Sequence, residues 1–325
     1  MAPEVFAYFA AGAGAETTLR QEAQAWDSVH LRPRVLRDVT AVEVGTSVLG
    51  TRVALPVLVA PVASHRAAHP DGELGVARAV RRAGGLMVLS MRSSTRVEEV
   101  GAAAGAFWQQ LYVLRDRGIT DEVARRAADA GATALVVTVD TPVVASKRAD
   151  LPPPQEHGIV EALDHRDATD PRLQQAADLS GADLERLGAL TGLPVVAKGV
   201  LTAAAARDCV AAGARGVIVS THGGRQLDGV LPSPRALPEV VDAVGEQVEV
   251  YVDGAVRAGA HVLKALALGA RATLVGRPVV WALAGAGGAG VHQLLDDLAD
   301  ETREAFALAG CASVALVGRD LAQLG

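Results

Sequence analysis

Cysteine is almost missing from this chain: there are two, Cys209 and Cys311, and neither sits in a CxxC or other metal-type spacing. That pattern excludes a disulfide framework and a thiolate metal site, and it fits a reducing cytoplasm. The opening stretch "MAPEVFAYFAAGAGAE" carries an acid at Glu4 and lacks the basic n-region of a secretory signal. No apolar run approaches the length of a membrane span, because glycine, proline or charge interrupts each one. A basic excess is lacking too. The net charge of -6 gives no general reason to expect nucleic acid or an anionic membrane as partner. A soluble cytoplasmic protein is the expectation. Lysine is the scarcest charge, occurring only at Lys147, Lys198 and Lys264, with arginine at every other Lys/Arg position. A sequence-wide bias toward arginine and alanine accounts for the scarcity, so each remaining lysine invites its own explanation, with chance as the alternative.

What is present is core material: 50% of the 325 residues are apolar and 21% charged, a globular balance. From residue 55 onward, short apolar runs alternate with helix-like stretches. The runs are "LPVLVAPVA" (55–63), "GGLMVLSM" (84–91), "AFWQQLY" (106–112), "TALVVTVD" (133–140), "LPVVAKGV" (193–200), "RGVIVST" (215–221), "VEVYVDG" (248–254) and "RATLVGRP" (271–278). Continuous rather than alternating hydrophobicity suits strands buried on both faces of a parallel sheet. A weak repeat, "DAGATALVV", "AAGARGVIV", "ALGARATLV", marks the helix-to-strand joint, where glycine can adopt the left-handed conformation that ends a helix. Eight such units predict a (β/α)8 barrel in one domain, 1–325, with an open doubly wound sheet as the alternative. Residues 1–54 are expected to form one or two helices and an extended stretch capping the barrel floor. Residues 141–180 form a polar insert in which Pro152 to Pro154 exclude a helix, expected to be a lid, with disorder as the alternative.

Barrel active sites lie at the C-terminal ends of the strands. The last two strands end in "DGAVR" and "GR", where glycine amides with Arg257 and Arg277 could hold a phosphate, or simply form two tight turns with surface arginines. Asp140 ends the fourth strand and His222 the sixth. Strands of equal parity share layers, so this carboxylate could orient the imidazole, with Arg225 near it. The alternative is an ordinary hydrogen-bonded turn histidine. Lys198 ends the fifth strand, as an imine-forming nucleophile, a charge beside a cofactor or an ion-pair partner. Spacing does not choose among the three.

The stretch "VSTHGGRQLDG" at 219–229 resembles the signature of the FMN-dependent α-hydroxy acid oxidases and dehydrogenases. The similarity extends through "YFAAGAGAETTLR", "LPVLVAPVASHRAAHPDGE", "WQQLYVLRDR", "ALVVTVDTP", "VVAKGVLTAAAA" and "DGAVRAGAHVLKALALGARATLVGRPVVWALA", in the family's order. Within it the 4-hydroxymandelate-oxidase-like branch looks nearest. The resemblance implies FMN at the barrel mouth, with Pro61, Val62 and Ala63 along the flavin and Ser90, Gln110 and Thr138 at its ring edge. Lys198 would stabilise the ring's negative charge, Ser220 would join the cofactor site, and Asp253, Gly254, Arg257, Gly276 and Arg277 would hold ribityl and phosphate. His222 would be the base, Asp140 its support, Arg225 the carboxylate clamp, and Tyr8 and Tyr112 hydroxyl contacts. The implied reaction is oxidation of a 2-hydroxy acid to the 2-oxo acid, with oxygen or another acceptor taking the electrons. A homo-oligomer, by analogy a tetramer, is the implied assembly.

Several positions depart from the family's pattern. Its second carboxylate-binding arginine falls in a run that here reads "ASKR", so Lys147 stands there, or Arg148 if the loop shifts register. Lysine cannot make arginine's bidentate fork. Thr221 replaces the usual asparagine. Ala255 replaces a glycine of the phosphate turn, tolerable only at negative φ. Arg92 takes the place of an aromatic after the second strand, and both the N-terminal helix and the loop after the fourth strand are short. These changes predict a retained flavin site and an altered substrate pocket, for a substrate bulkier than lactate or differently anchored. Two other functions stay open: a phosphate-binding lyase or aldolase using Lys198, and a flavin-binding relic that no longer turns over.

Overall fold

The computed structural model describes residues 1–147 and 170–325. Two helices come first, α1 (Pro3–Ala10) and α2 (Thr17–Asp27), then β1 (Val29–Leu31) and the hairpin β2 (Thr46–Val48) and β3 (Thr51–Val53). The eight apolar runs become β4 (Val57–Val59), β5 (Met87–Leu89), β6 (Phe107–Leu111), β7 (Ala132–Thr138), β8 (Val195–Val200), β9 (Gly216–Val219), β10 (Glu249–Val252) and β11 (Ala272–Val275). These pair in parallel in chain order, and β11 returns to β4, closing a (β/α)8 barrel. Helices α3 (His65–Ala68), α4 (Gly72–Arg82), α5 (Val97–Ala104), α6 (Arg117–Asp129), α7 (Gly181–Thr191), α8 (Ala203–Ala211), α9 (Ser233–Val244), α10 (Gly259–Ala267) and α11 (Arg277–Leu308) surround it. A last strand, β12 (Ala322–Leu324), pairs with β1. The repeated joint glycines do what the sequence predicts: Gly131, Gly213 and Gly269 have φ of 91°, 83° and 101°.

The pleat sorts the strand residues into two cores. Val57, Met87, Leu135 and Val217 pack outward with the helices, whereas Leu58, Val88, Trp108, Val136, Val196, Ile218, Tyr251 and Leu274 fill the interior. There Trp108 meets Tyr251 edge to face, with ring centroids 5.3 Å apart. An apolar plug of this kind makes the barrel a packed core and confines polar chemistry to its ends.

Residues 1–54 close the floor only in part. The hairpin does so: Val48 and Val53 join the interior cluster, and Leu49 N–H donates to Glu249 at the base of β10. Helices α1 and α2 lie at the opposite end, across the mouth. Ala13 N–H donates to Gly224 O at 2.8 Å, and Asp228 accepts from Ala15, Thr17 and Thr18 N–H at the start of α2. The reason lies in the partners: the 11–18 backbone finds its acceptors in the turn after β9, a turn found only at the C-terminal end. Much of the polar insert, including Pro152 to Pro154 and Arg148, lies outside the described residues. No helix among the described residues is long and apolar enough to cross a membrane.

Candidate active site

Continuing the inward set of side chains one pleat beyond the apolar plug reaches Ser90, Gln110, Thr138, Lys198, Ser220 and Asp253. They form a connected polar layer. Gln110 Nε2 donates to Thr138 Oγ1 at 3.0 Å, and Gln110 Oε1 accepts from Met91 N–H at 3.1 Å and Ser90 Oγ at 3.4 Å. Lys198, 4% exposed, donates to Ser220 Oγ at 2.8 Å and pairs with Asp253 at 3.1 Å. Burial pulls its ammonium down, but the Asp253 and Asp140 carboxylates outweigh burial and hold it above the usual lysine value. An imine-forming lysine needs a free amine, whereas this one is held by Ser220 and Asp253, so the geometry runs against the aldolase alternative.

Beside this layer His222 Nδ1 lies 3.1 Å from Asp140 Oδ1. A carboxylate in that place fixes the tautomer with hydrogen on Nδ1 and leaves Nε2 as the free base. Asp140 is itself held by Thr141 Oγ1 at 3.0 Å, and Gln226 Nε2 donates to the carbonyls of Asp140 and Val143. Burial would raise the Asp140 carboxyl, but His222 and Lys198 together bring it below the usual range. Gly199, at φ 105°, makes room: a Cβ there would collide with the Asp140 carboxyl. His222 holds a left-handed backbone, φ 55°, with its N–H on Ser220 Oγ at 3.0 Å.

A cavity of about 700 Å³ opens above, lined among others by Tyr8, Pro61, Val62, Ala63, Ser90, Arg92, Tyr112, Lys147, Lys198, His222 and Arg225. Gln110, Thr138, Ser220 and Asp140 stand behind that wall and support it through the bonds above. Arg225 Nη1 donates to Tyr8 O and Ala11 O, both at 2.8 Å, and its guanidinium lies 5.2 Å from the Tyr8 ring centroid. Its Nε and Nη2 have no partner among the described residues, and burial lowers its pKa. Lys147 reaches the same wall, donating to Ala145 O and Arg225 O at 2.6 Å. Burial and the Arg225 charge pull its ammonium down to about 8. The arrangement gives a cation where the resemblance expects one, already engaged by two carbonyls.

The same cavity is also lined by Asp253, Gly254, Arg257, Gly276 and Arg277. Arg277 donates to Phe9 O, Gly223 O and Ala11 O, so it also ties the mouth to α1. Burial, with Arg225 and Arg257 close by, lowers it to about 10. Three arginines crowded this way call for an anion. Asp253 Oδ1 is buried without a partner, an acceptor waiting for hydroxyl donors. Apolar wall, orphan acceptor and cation cluster fit FMN: Asp253 for ribityl, Arg257 and Arg277 with the Gly254 and Gly276 turns for phosphate. No group of three potential metal ligands occurs among the described residues.

Two features run against or beyond the sequence reading. Ala255 sits at φ 51°, not the negative φ under which alanine was tolerable. The turn keeps its left-handed bend because Gly254 before it and Val256, 2% exposed, after it are pinned, so the alanine carries the strain. Glu22 of α2 was missed altogether. It is 2% exposed, accepts from Thr221 Oγ1, Ser233 Oγ and Ser233 N–H, and occupies the space a Gly254 Cβ would need. Its helix looks unremarkable in sequence; only the long-range packing of α2 on the mouth reveals it. Burial pushes its carboxyl up to about 7, with Asp253 adding to the rise against the Ser233 and Thr221 hydrogen bonds.

Comparison with known proteins agrees with this geometry. The sequence profile described as FMN-dependent dehydrogenase matches residues 1–324. The 4-hydroxymandelate oxidase of Amycolatopsis orientalis is 44% identical over 342 residues, covering 99% of this chain and 94% of its own. Glycolate oxidase 1 of Zea mays is 44% identical over 333 residues, covering 96% and 89%. The crystal structure of a mandelate oxidase with (S)-4-hydroxymandelic acid superposes with a TM-score of 0.93 at 44% identity, covering 100% of this chain and 96% of the other. The chain belongs to the FMN-dependent dehydrogenase family. It is an FMN-dependent oxidoreductase of the 2-hydroxy acid oxidase type.

Replacing Ala255 with glycine relieves a left-handed alanine worth ~1–2 kcal/mol, against a chain-entropy cost of ~0.5–1 kcal/mol. Chemical denaturation should find Ala255→Gly more stable by roughly 0.5–1 kcal/mol; a destabilised variant would mean the turn is not strained. For Glu22 the folded value lies above the unfolded one, so the native state binds the extra proton. Stability therefore declines as pH rises from about 4.5 to about 7, by up to ~3 kcal/mol. Urea unfolding across that range should show the decline flattened in Glu22→Gln; parallel curves would exclude Glu22 as the group responsible.

Proposed function

We propose that the protein oxidises a bulky, mandelate-like 2-hydroxy acid to the corresponding 2-oxo acid, with His222 as base and molecular oxygen as electron acceptor. The observation that carries this reading is the His222–Asp140 pair, 3.1 Å apart, at a cavity that also presents the cations Arg92, Lys147, Lys198 and Arg225. The substrate carboxylate docks on the unoccupied edge of Arg225, which presents its remaining donors as a planar fork. Tyr8 and Tyr112 flank that position, with the Tyr112 hydroxyl available to the substrate oxygen. His222 Nε2 takes a substrate proton, and the Asp140 carboxylate stabilises the imidazolium that results. FMN, when bound, supplies the two-electron acceptor, and Lys198 supplies a fixed positive charge beside it. In overall balance the hydroxy acid loses two electrons and two protons, which oxygen takes up as hydrogen peroxide.

The relatives support the substrate class: one is named for 4-hydroxymandelate and one for glycolate. The larger of the two is favoured because the cavity, with Lys147 and Arg92 in its walls, still measures about 700 Å³. A relic without turnover is disfavoured by the intact set of His222, Asp140 and Arg225. The two free cysteines, Cys209 and Cys311, support a cytoplasmic setting. A homo-oligomeric assembly belongs to the same reading and is measured by light scattering of the loaded enzyme.

His222→Asn should purify yellow, with flavin content unchanged, and lose anaerobic flavin bleaching by mandelate by roughly 10²–10⁴-fold. Asp140→Asn should show the same direction with a smaller loss and an altered pH profile. Bleaching of His222→Asn at the wild-type rate would remove the histidine from the chemistry. Efficient turnover of glycolate would remove the bulky substrate.

A further inference from the structure

Among the described residues the charges around the cavity pair off one by one, with a single cation left over. Lys198 has Asp253 at 3.1 Å and His222 has Asp140 at 3.1 Å. Arg257 and Arg277 share the end of the cavity suited to the cofactor phosphate. Arg225 awaits the substrate carboxylate, and Lys147 is taken by two carbonyls. Arg92 remains. Its guanidinium lies 5.3 Å from the Tyr112 ring centroid and lines the cavity. It has no hydrogen-bond acceptor or carboxylate among the described residues. Glu22, the other acid lining the cavity among the described residues, is turned toward Ser233 and Thr221.

Position supports a role toward substrate. The neighbours acting on the buried Tyr112 hydroxyl are Arg92, Lys198, Asp140 and Tyr8, while Tyr8 and Tyr112 act on Arg225. Tyr112 is thus close to both guanidinium groups, Arg92 over its ring and Arg225 within electrostatic reach. An aromatic face alone compensates a half-buried guanidinium only weakly, whereas a carboxylate on its fork adds charge-assisted hydrogen bonds in a dry site.

We propose that Arg92 binds a second anionic group on the substrate side chain, so that the preferred substrates are dianionic 2-hydroxy acids, held by Arg225 at the reacting end and Arg92 at the far end. This rests on the oxidase reading above and narrows it. It also gives a physical reason for a guanidinium, rather than an apolar side chain, on this wall of the cavity. Specificity of this type rejects neutral side chains by leaving the arginine unpaired.

The test compares matched pairs on the FMN-loaded enzyme: mandelate with 4-carboxymandelate, and 2-hydroxypentanoate with 2-hydroxyglutarate. Anaerobic flavin reduction gives the rate ratio within each pair, and calorimetric titration with the corresponding 2-oxo acids gives a binding ratio independent of turnover. The wild type should favour the dianion of at least one pair by roughly 10–100-fold in both measurements. Arg92→Met should bring that ratio near one, and Arg92→Lys should retain part of it. Which pair responds tells whether the second anion sits on an aromatic or an aliphatic arm. Ratios near one in the wild type, or ratios unchanged in Arg92→Met, overturn the proposal. A calorimetric preference that Arg92→Met abolishes, in an enzyme whose flavin no 2-hydroxy acid reduces, supports the anion site and overturns the oxidase reading instead.

Discussion

The pleat of eight parallel strands is the constraint on which the rest of this molecule depends. Because successive side chains alternate between the helix-facing and the axial side, every second residue of each strand points down the barrel axis. Leu58, Val88, Trp108, Val136, Val196, Ile218, Tyr251 and Leu274 use that direction to build an apolar plug. One pleat higher the same direction delivers Ser90, Gln110, Thr138, Lys198, Ser220 and Asp253 to a single level. A lysine only 4% exposed can remain charged there because Ser220 and Asp253, from the next two strands, arrive at the same height. The plug beneath keeps water out from below, so the polar layer faces one cavity.

A second element turns that layer into a site. The α1–α2 junction crosses the mouth and is held by cations from two different barrel loops, Arg225 and Arg277, which donate to the carbonyls of Tyr8, Phe9 and Ala11. The turn after β9 is therefore clamped between the barrel and this strap. Gly223 and Gly224 permit the fit, since side chains there would strike Arg277 and Leu19. The left-handed backbones of His222 and Ala255 are strained conformations of the sort that persist where surrounding structure over-determines them.

Electrostatically the cavity is built for anions. Arginines line its walls, and the nearby acids among the described residues are either paired, as Asp140 and Asp253 are, or withdrawn into hydrogen bonds, as Glu22 is. Such a site is costly when empty of anions, because partly buried guanidinium groups lose hydration without gaining partners. FMN phosphate and a substrate carboxylate relieve most of that cost. Arg92 is the part they leave unrelieved.

The residue order alone carried the barrel. Each strand needs only its own apolar run, and each helix end only a local glycine, so eight repeats read correctly without knowledge of long-range contacts. The strand-end rule then placed His222, Asp140, Lys198, Arg225 and the two phosphate-side arginines near one another. What it could not convey was anything decided between segments far apart in the chain. Glu22 meets Ser233 across 211 positions. The strap lies at the mouth and not the floor because its acceptors are there. Ala255 takes positive φ because its neighbours are fixed, and Arg92 is unpaired because no acid among the described residues folds against it. Sequence determined which side chains reach the mouth, through a period of two that is local; tertiary structure decided which of them are already satisfied, because pairing is a property of distance in space.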